Sequence, residues 1–205
     1  MSIAGPNSRK VLEKIVRDDV SNEKFKFRDS RRMFVGGVPA IINRISFTGE
    51  LGYEIYVAPH YQLKLYEELM EAGKEFNIKP FGGRALMSMR LEKNWGAWTL
   101  DYRPDFTAKE TGLDAFIHWD KDFIGKESAQ KENSSNKLIP LIVETNDIDV
   151  TSNEAVMNGD HSIGYVTSGG FAHFVNKSVA FTFIDQKKIK SKNKIQVEIN
   201  GDLFN

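Results

Sequence analysis

The feature that most constrains the fold is a change of pattern about two thirds of the way along the chain. Before a polar stretch at residues 131–137, which contains no apolar residue, segments with helical spacing alternate with segments of strand-like spacing. After it, the apolar residues fall in short runs at residues 138–145, 163–167, 179–184 and 195–199, separated by Gly, Asn and Asp. Such runs are typical of strands. The sequence therefore predicts an α+β protein, with a mixed unit at residues 1–132 and a small β unit at residues 137–205.

The mixed unit contains recognisable helix, hairpin and strand signals. Gly5-Pro6-Asn7-Ser8 is typical of a helix start, and Gly36-Gly37 between two apolar runs predicts a hairpin turn. Residues 53–57 alternate strictly, which predicts a strand with Tyr53, Ile55 and Val57 on one face and Glu54 and Tyr56 on the other. Further patterns predict helices at residues 61–76, 80–93 and 125–132 and a strand at residues 113–119.

Composition excludes several classes of function. The 28 Lys and Arg residues are balanced by 28 Asp and Glu residues, whereas a duplex nucleic-acid binder attracts phosphate with excess positive charge. The chain has no cysteine, which excludes disulfides, thiolate zinc sites and cysteine nucleophiles. No apolar run approaches the ~20 residues that span a bilayer, and the first residues lack the apolar region of a signal peptide. We therefore expect neither nucleic acid nor membrane as a partner, and a location in the cytoplasm or an organelle matrix, with the cytoplasm as the prediction.

Common metal and cofactor signatures are missing from the sequence. The four histidines, His60, His118, His161 and His173, show no metal-binding spacing, so no metal site is expected. The glycine pairs at residues 82–83 and 169–170 do not follow a strand with the spacing of a phosphate-binding or dinucleotide-binding loop. A FAD or NAD site formed by this chain alone is therefore not expected. No nucleophile elbow for a catalytic serine is present either.

Two charged residues have both an ordinary interpretation and a functional one. Glu54, in the middle of a predicted strand, is either a solvent-facing carboxylate or one that accepts two parallel N–H donors from a planar heterocycle such as the pterin of folate. Arg84, at the start of a predicted helix, is either a surface arginine or a fork for a ligand carboxylate. The aromatic residues near these segments are either core or walls of a ligand cleft.

Several motifs occur along the chain in the order and spacing of one known protein family. Thr48-Gly49-Glu50-Leu51-Gly52-Tyr53-Glu54 is similar to a TGE-x-G-x-E signature, and residues 80–93 resemble a G-x-RA-x-DS-x-RLE helix. Residues 5–9, 112–113, 122–126, 164–170 and 177–180 match further motifs of the same family in order. Together these motifs resemble the aminomethyltransferase family, which includes the T-protein of glycine cleavage, and the resemblance covers nearly the whole chain. It implies a ferredoxin-like α/β unit, as part of the T-protein fold, followed by a C-terminal β-barrel.

Within the family, the sequence looks most similar to the C-terminal part of dimethylglycine and sarcosine dehydrogenases. Those enzymes join a flavin-dependent amine oxidase module to a module that captures the one-carbon unit on tetrahydrofolate. The resemblance implies tetrahydrofolate as the cofactor, with FAD only in a module that this sequence lacks. It places the cofactor-binding residues at Phe47, Glu54, Ile55, Tyr56, Arg84 and Phe116.

The resemblance also implies that both ends of the family pattern are truncated. The helix at residues 5–9 is internal in relatives, where it follows a large part of the folate-binding fold. We therefore expect a partner chain or further module to supply the flavin domain. We expect the substrate, reached through that missing module, to be a methylated glycine. Whether the chain is an enzyme by itself stays open. The alternatives are a T-protein that needs no flavin, and a non-catalytic folate-binding module or inactive fragment.

Overall fold

The structure, a computed structural model, describes residues 1–205. It divides into two compact units, Met1–Leu86 and Met87–Asn205. Each has its own hydrophobic core. None of the helices is long and apolar enough to cross a bilayer.

The first unit is a four-stranded antiparallel sheet with helices on one face. Its elements are β1 (Ser2–Ala4), α1 (Ser8–Ile15), β2 (Ser30–Val35), β3 (Val38–Asn43), β4 (Gly52–Tyr56), α2 (Gln62–Gly73) and the beginning of α3 (Gly83–Glu92), with 3₁₀ turns at Pro59–Tyr61 and Lys74–Phe76. The strand order is β1-β4-β3-β2. The predicted hairpin is confirmed: Gly36 and Gly37 adopt φ values of 56° and 78°, the left-handed conformation that a tight two-residue hairpin requires.

Alternation in the strands decides which face of this sheet is buried. Alternate side chains of the four strands pack with α1 and α2 in one core, and this set includes Ile3, Val35, Ile42, Tyr53 and Ile55. The residues between them point to the opposite face, because successive side chains of a strand alternate. That opposite face, which we call the open face, carries Ser2, Arg32, Phe34, Pro39, Ile41, Asn43, Glu54 and Tyr56.

The second unit is dominated by a six-stranded antiparallel sheet. Its elements are the remainder of α3, α4 (Ala108–Thr111), a 3₁₀ turn (Leu113–Phe116), α5 (Lys126–Lys131), β5 (Asn136–Val143), β6 (Ala155–Asn158), β7 (His161–Ala172), β8 (Lys177–Asp185), a 3₁₀ turn (Gln186–Lys188), β9 (Ile195–Ile199) and β10 (Asp202–Phe204). The strand order is β10-β9-β6-β7-β8-β5. The edges meet where the Glu144 backbone N–H donates to the Asn205 carbonyl at 2.7 Å. This unit is thus the expected β-barrel, and the predicted α+β class is confirmed.

The strand predicted at residues 113–119 is wrong. Thr107 caps the short helix α4 in a reciprocal capping box with Glu110, and Gly112 ends it at a φ of 75°. The next residues form a 3₁₀ turn, in which the Ile117 N–H donates to the Asp114 carbonyl at 3.0 Å. The apolar residues suited a strand, but local hydrogen bonds take up the backbone groups because the segment pairs with neither sheet.

The packing of the chain changes within α3, earlier than the polar stretch suggests. Leu91 at the end of α3 belongs to a buried cluster with Val179 and Phe181 of β8. The predicted polar connection lies between α5 and β5, as residues 132–135. The domain limits at residues 1–132 and 137–205 stay a prediction.

Candidate functional site

Glu54 lies at the centre of β4, on the open face of the first sheet. Its neighbours Tyr53 and Ile55 are fully buried in the core, so the alternation of the strand carries the carboxylate to the other side. Glu54 is half-buried. It stands in register with Ser2 of β1 and Asn43 of β3, and is therefore flanked by strands on both sides. The result is a carboxylate held on a rigid element and outside the apolar core.

The side chain of Tyr56 contacts this carboxylate directly. The Tyr56 hydroxyl donates a hydrogen bond to Glu54 Oε2 at 2.6 Å. The two residues are separated by two positions on β4 and therefore share a face. This hydrogen bond, together with the negative charge of Glu54, raises the pKa of the Tyr56 phenol. The carboxylate keeps most of its acceptor capacity, because each of its oxygens has two lone pairs.

Beyond Glu54 the open face carries mainly apolar side chains, with Arg32 as the charged exception. Phe34 is paired in register with Pro39, and Ile41 with Tyr56. Phe34 is 63% exposed and Tyr56 is 54% exposed. Antiparallel sheets that face water usually carry polar side chains there, so this surface is unusual. These four residues line a shallow groove of about 570 Å³, whose lining includes Arg32 and Asp18 but not Glu54.

The loop before β4 contains the Thr-Gly-Glu part of the signature. Thr48 is buried, and its hydroxyl is 2.7 Å from the hydroxyl of Ser46. Gly49 adopts a φ of 72°, which favours glycine. A Cβ at Gly52 would lie 2.7 Å from Ser46 Cβ and 2.9 Å from the Ile3 carbonyl oxygen. These residues therefore shape the entry to β4 and fix the position of Glu54.

The other predicted site residues are dispersed. Phe47 is half-buried in the loop between β3 and β4. Ile55 is fully buried in the core, so its side chain lies on the opposite side of the sheet from Glu54. Arg84, the second residue of α3, is exposed and makes no hydrogen bond or ion pair in the structure. Phe116 belongs to the second unit and is 59% exposed. The structure thus brings Glu54 and Tyr56 together, and the binding roles of all six predicted residues stay predictions.

Sequence reasoning missed the neighbours of Glu54 across the sheet. Asn43 and Ser2 flank it, and Phe34, Pro39 and Ile41 extend the open face beyond Tyr56. The alternation of β3, with Val38, Ala40 and Ile42 buried, was a signal in the sequence for the face of Asn43. Which residues stand beside Glu54 depends on strand register, which no short motif encodes. No cluster of three or more His, Asp or Glu side chains suited to a metal ion is present.

Comparison with known families finds two domain models that match successive parts of the chain. The model of the GCVT N-terminal domain matches residues 1–121, and that of the glycine cleavage T-protein C-terminal barrel domain matches residues 136–205. The chain belongs to the glycine cleavage T-protein family. The resemblance inferred from the motifs is confirmed.

Individual relatives carry two kinds of name. Human mitochondrial dimethylglycine dehydrogenase is 34% identical over 206 residues, which cover 98% of this chain and 24% of the relative. The aminomethyltransferase of Caldanaerobacter subterraneus subsp. tengcongensis is 33% identical over 206 residues, which cover 98% of this chain and 54% of the relative. The chain thus spans about a quarter of the dehydrogenase and about half of the aminomethyltransferase.

A solved structure shares the fold. The crystal structure of glycine cleavage system aminomethyltransferase T from Bartonella henselae matches with a TM-score of 0.70 at 24% identity. The match covers 80% of this chain and 47% of that chain. At this identity the likeness supports the fold.

Proposed function

We propose that this chain supplies the tetrahydrofolate-binding part of an enzyme that transfers a one-carbon unit from an N-methyl amine to tetrahydrofolate. The observation that carries the proposal is the position of Glu54, on a rigid strand, outside the core and beside an aromatic side chain. Membership of the T-protein family and similarity to dimethylglycine dehydrogenases support it.

The chemistry of the ligand suits this carboxylate. The edge of a reduced pterin presents a ring N–H and an exocyclic amine side by side. A carboxylate can accept both in parallel, as it does from a guanidinium, and charge-assisted hydrogen bonds of this kind are the strong ones. Glu54 would bind and orient the pterin, and bound tetrahydrofolate would accept the one-carbon unit.

Other residues of the chain would complete recognition. The exposed guanidinium of Arg84 is free to pair with a ligand carboxylate, a geometry that arginine favours. Phe47 is proposed as an apolar contact to the ligand, and a binding role for Phe116 stays what the family resemblance implies. We propose that a methylated glycine is the substrate and that a further module or partner chain supplies flavin chemistry. A cytoplasmic location stays a prediction, because the relatives include mitochondrial and bacterial enzymes.

The second candidate is aminomethyl transfer to tetrahydrofolate in glycine cleavage, with no flavin. It is supported by the aminomethyltransferases, one of which is 33% identical to this chain, against 34% for the human dehydrogenase. Assay of the full-length protein distinguishes the two: oxidation of dimethylglycine or sarcosine supports the first, and transfer from an aminomethylated lipoyl carrier supports the second. A third candidate, an inactive fragment, predicts a sloping melt by circular dichroism, whereas a folded module predicts a cooperative one.

Calorimetric titration with tetrahydrofolate tests the role of Glu54. In Glu54→Gln, the amide replaces one acceptor with a donor that faces a ligand donor. We expect a loss of about 2–3 kcal/mol in binding free energy, which is roughly 30- to 150-fold in Kd. The matched control is Glu67→Gln, which removes the same charge from an exposed position on α2. Equal affinities of Glu54→Gln and the unmodified chain would contradict the proposal.

A further inference from the structure

The Glu54 carboxylate is oriented by a single protein donor. Among the hydrogen bonds of the structure, the one that reaches this side chain comes from the Tyr56 hydroxyl, at 2.6 Å from Oε2. A half-buried glutamate with three rotatable bonds samples several rotamers unless something holds it, and fixing it on binding costs entropy. A hydrogen bond from a tyrosine two positions along the same strand restricts the rotamers of the glutamate before any ligand binds.

We propose that Tyr56 is a positioning residue that holds the Glu54 carboxylate ready for two parallel N–H donors. This inference rests on the proposed function, because the donors are those of the pterin edge. The hydroxyl engages one lone pair of Oε2. Both lone pairs of Oε1 and one of Oε2 stay available, which is sufficient for a bidentate contact.

The surroundings of Tyr56 support a fixed donor. Its residue position is paired in register with Ile41 of β3, and its side chain lines the apolar groove of the open face with Phe34 and Pro39. A tyrosine ring has two side-chain torsions, so holding it on a strand costs less entropy than holding a long flexible side chain. The aromatic body therefore rests on the sheet while the hydroxyl reaches Glu54.

A double-mutant cycle separates action through Glu54 from direct contact with the ligand. Tetrahydrofolate Kd is measured for the unmodified chain, Tyr56→Phe, Glu54→Gln and the double variant. We expect Tyr56→Phe to weaken binding roughly three- to tenfold, and to have no further effect when Glu54 is already replaced. Tyr66→Phe is the matched control, since Tyr66 is an exposed tyrosine on α2 without a hydrogen bond from its hydroxyl.

A second readout requires no folate. The ring carbon signals of Tyr56, followed by NMR against pH, report the pKa of its phenol. The hydrogen bond and the charge of Glu54 raise that pKa, so Glu54→Gln is expected to lower it towards the ordinary tyrosine range. Glu67→Gln is expected to leave it unchanged.

The outcomes distinguish this inference from the proposed function. An unchanged Tyr56 pKa in Glu54→Gln, or an equal loss of affinity from Tyr56→Phe in both backgrounds, overturns the positioning role while leaving Glu54 as a folate ligand. An unchanged Kd in Glu54→Gln overturns the proposed function itself, and with it the folate role of Tyr56. A lowered Tyr56 pKa in Glu54→Gln, together with a Tyr56→Phe effect confined to the chain that retains Glu54, supports the inference.

Discussion

At the scale of single residues, Asp101 organises the interior of the second unit. Its carboxylate accepts hydrogen bonds from Arg90 Nη1 at 2.6 Å and the Ala97 N–H at 2.8 Å. It also accepts from the hydroxyls of Thr167 and Ser168 on β7, at 2.5 and 2.7 Å. Asp101 and Arg90 are both fully buried. The carboxylate thus joins α3 and the following loop to the barrel.

The buried positive charge of the Arg90 guanidinium is compensated by one ion pair, with Asp101. Its Nε and Nη2 have no hydrogen-bond partner, and its central carbon lies 5.3 Å from the centre of the Phe181 ring. Burial lowers the pKa of Arg90, and the charge of Asp101 opposes this effect. Removing Asp101 would leave a buried cation with no compensating charge.

Asp101→Ala is therefore expected to destabilise the second unit by about 3–5 kcal/mol, because breaking one side of a buried pair leaves the other side unpaired. Urea denaturation followed by circular dichroism measures the loss. The control is Asp105→Ala, which removes a carboxylate from an exposed pair with Arg103 and should change the midpoint little. Similar midpoints for the two variants would show that Asp101 does not stabilise the unit in this way.

The hydrogen bonds that Glu110 accepts lead us to expect that the stability of the second unit depends on pH. Burial of Glu110 favours the neutral acid, but hydrogen bonds from Ser134, from Thr107 and from Asn136 outweigh burial and lower its pKa below the ordinary value of 4.5. A lowered folded-state pKa contributes stability above the unfolded-state pKa and loses it as pH falls through the folded-state pKa. The difference in melting temperature between the unmodified chain and Glu110→Gln should be largest near neutral pH and should shrink below about pH 4.5. Asp120→Asn, at an exposed position of the same unit, is the control; a constant difference across this range would contradict the assignment.

At the scale of elements, β7 can approach β8 closely because it lacks a side chain at Gly164. A Cβ there would lie 2.0 Å from the Phe183 carbonyl oxygen, which belongs to the backbone of β8 and cannot move aside independently. At Gly170 of the same strand, a Cβ would make an ordinary contact of 3.5 Å with Leu91. An added methyl group therefore clashes with the backbone at Gly164 and fits at Gly170, although both glycines lie in β7.

Gly164→Ala is expected to cost at least about 2 kcal/mol of stability, because a backbone strand must shift to admit the methyl group. Gly170→Ala should be close to neutral, and it controls for the general effect of alanine in β7. Thermal melts of both variants measure the difference. Comparable melting temperatures for the two would contradict the close approach of β7 and β8.

Local patterns in the sequence predict those elements whose signals are themselves local. Gly36-Gly37 specifies its hairpin, and the alternation around Glu54 correctly places that residue opposite Tyr53 and Ile55. The strands β1, β6 and β10 are missed because three or four residues are too few to show a period. Of these strands, β1 pairs with the distant β4, whereas β6 and β10 form hairpins with their neighbours in sequence, β7 and β9.

At the scale of the whole molecule, the family and the α+β class follow from several ordered motifs, whereas the composition of the open face does not. Phe34 and Ile41 join Glu54 and Tyr56 on that face because β2, β3 and β4 pair in a particular register. Register is a property of the assembled sheet, so the apolar groove could not be predicted from the sequence. The conjunction of an apolar surface with one oriented carboxylate is the basis of the proposed function.

A titration of the isotopically labelled chain with tetrahydrofolate, followed by NMR, tests the folate-binding role of Glu54 most directly. We expect saturable shift changes on the open face, centred on Glu54, Tyr56 and their neighbours Ser2 and Asn43, and the loss of these changes in Glu54→Gln. Shift changes confined to other parts of the chain, or unchanged by Glu54→Gln, would contradict it.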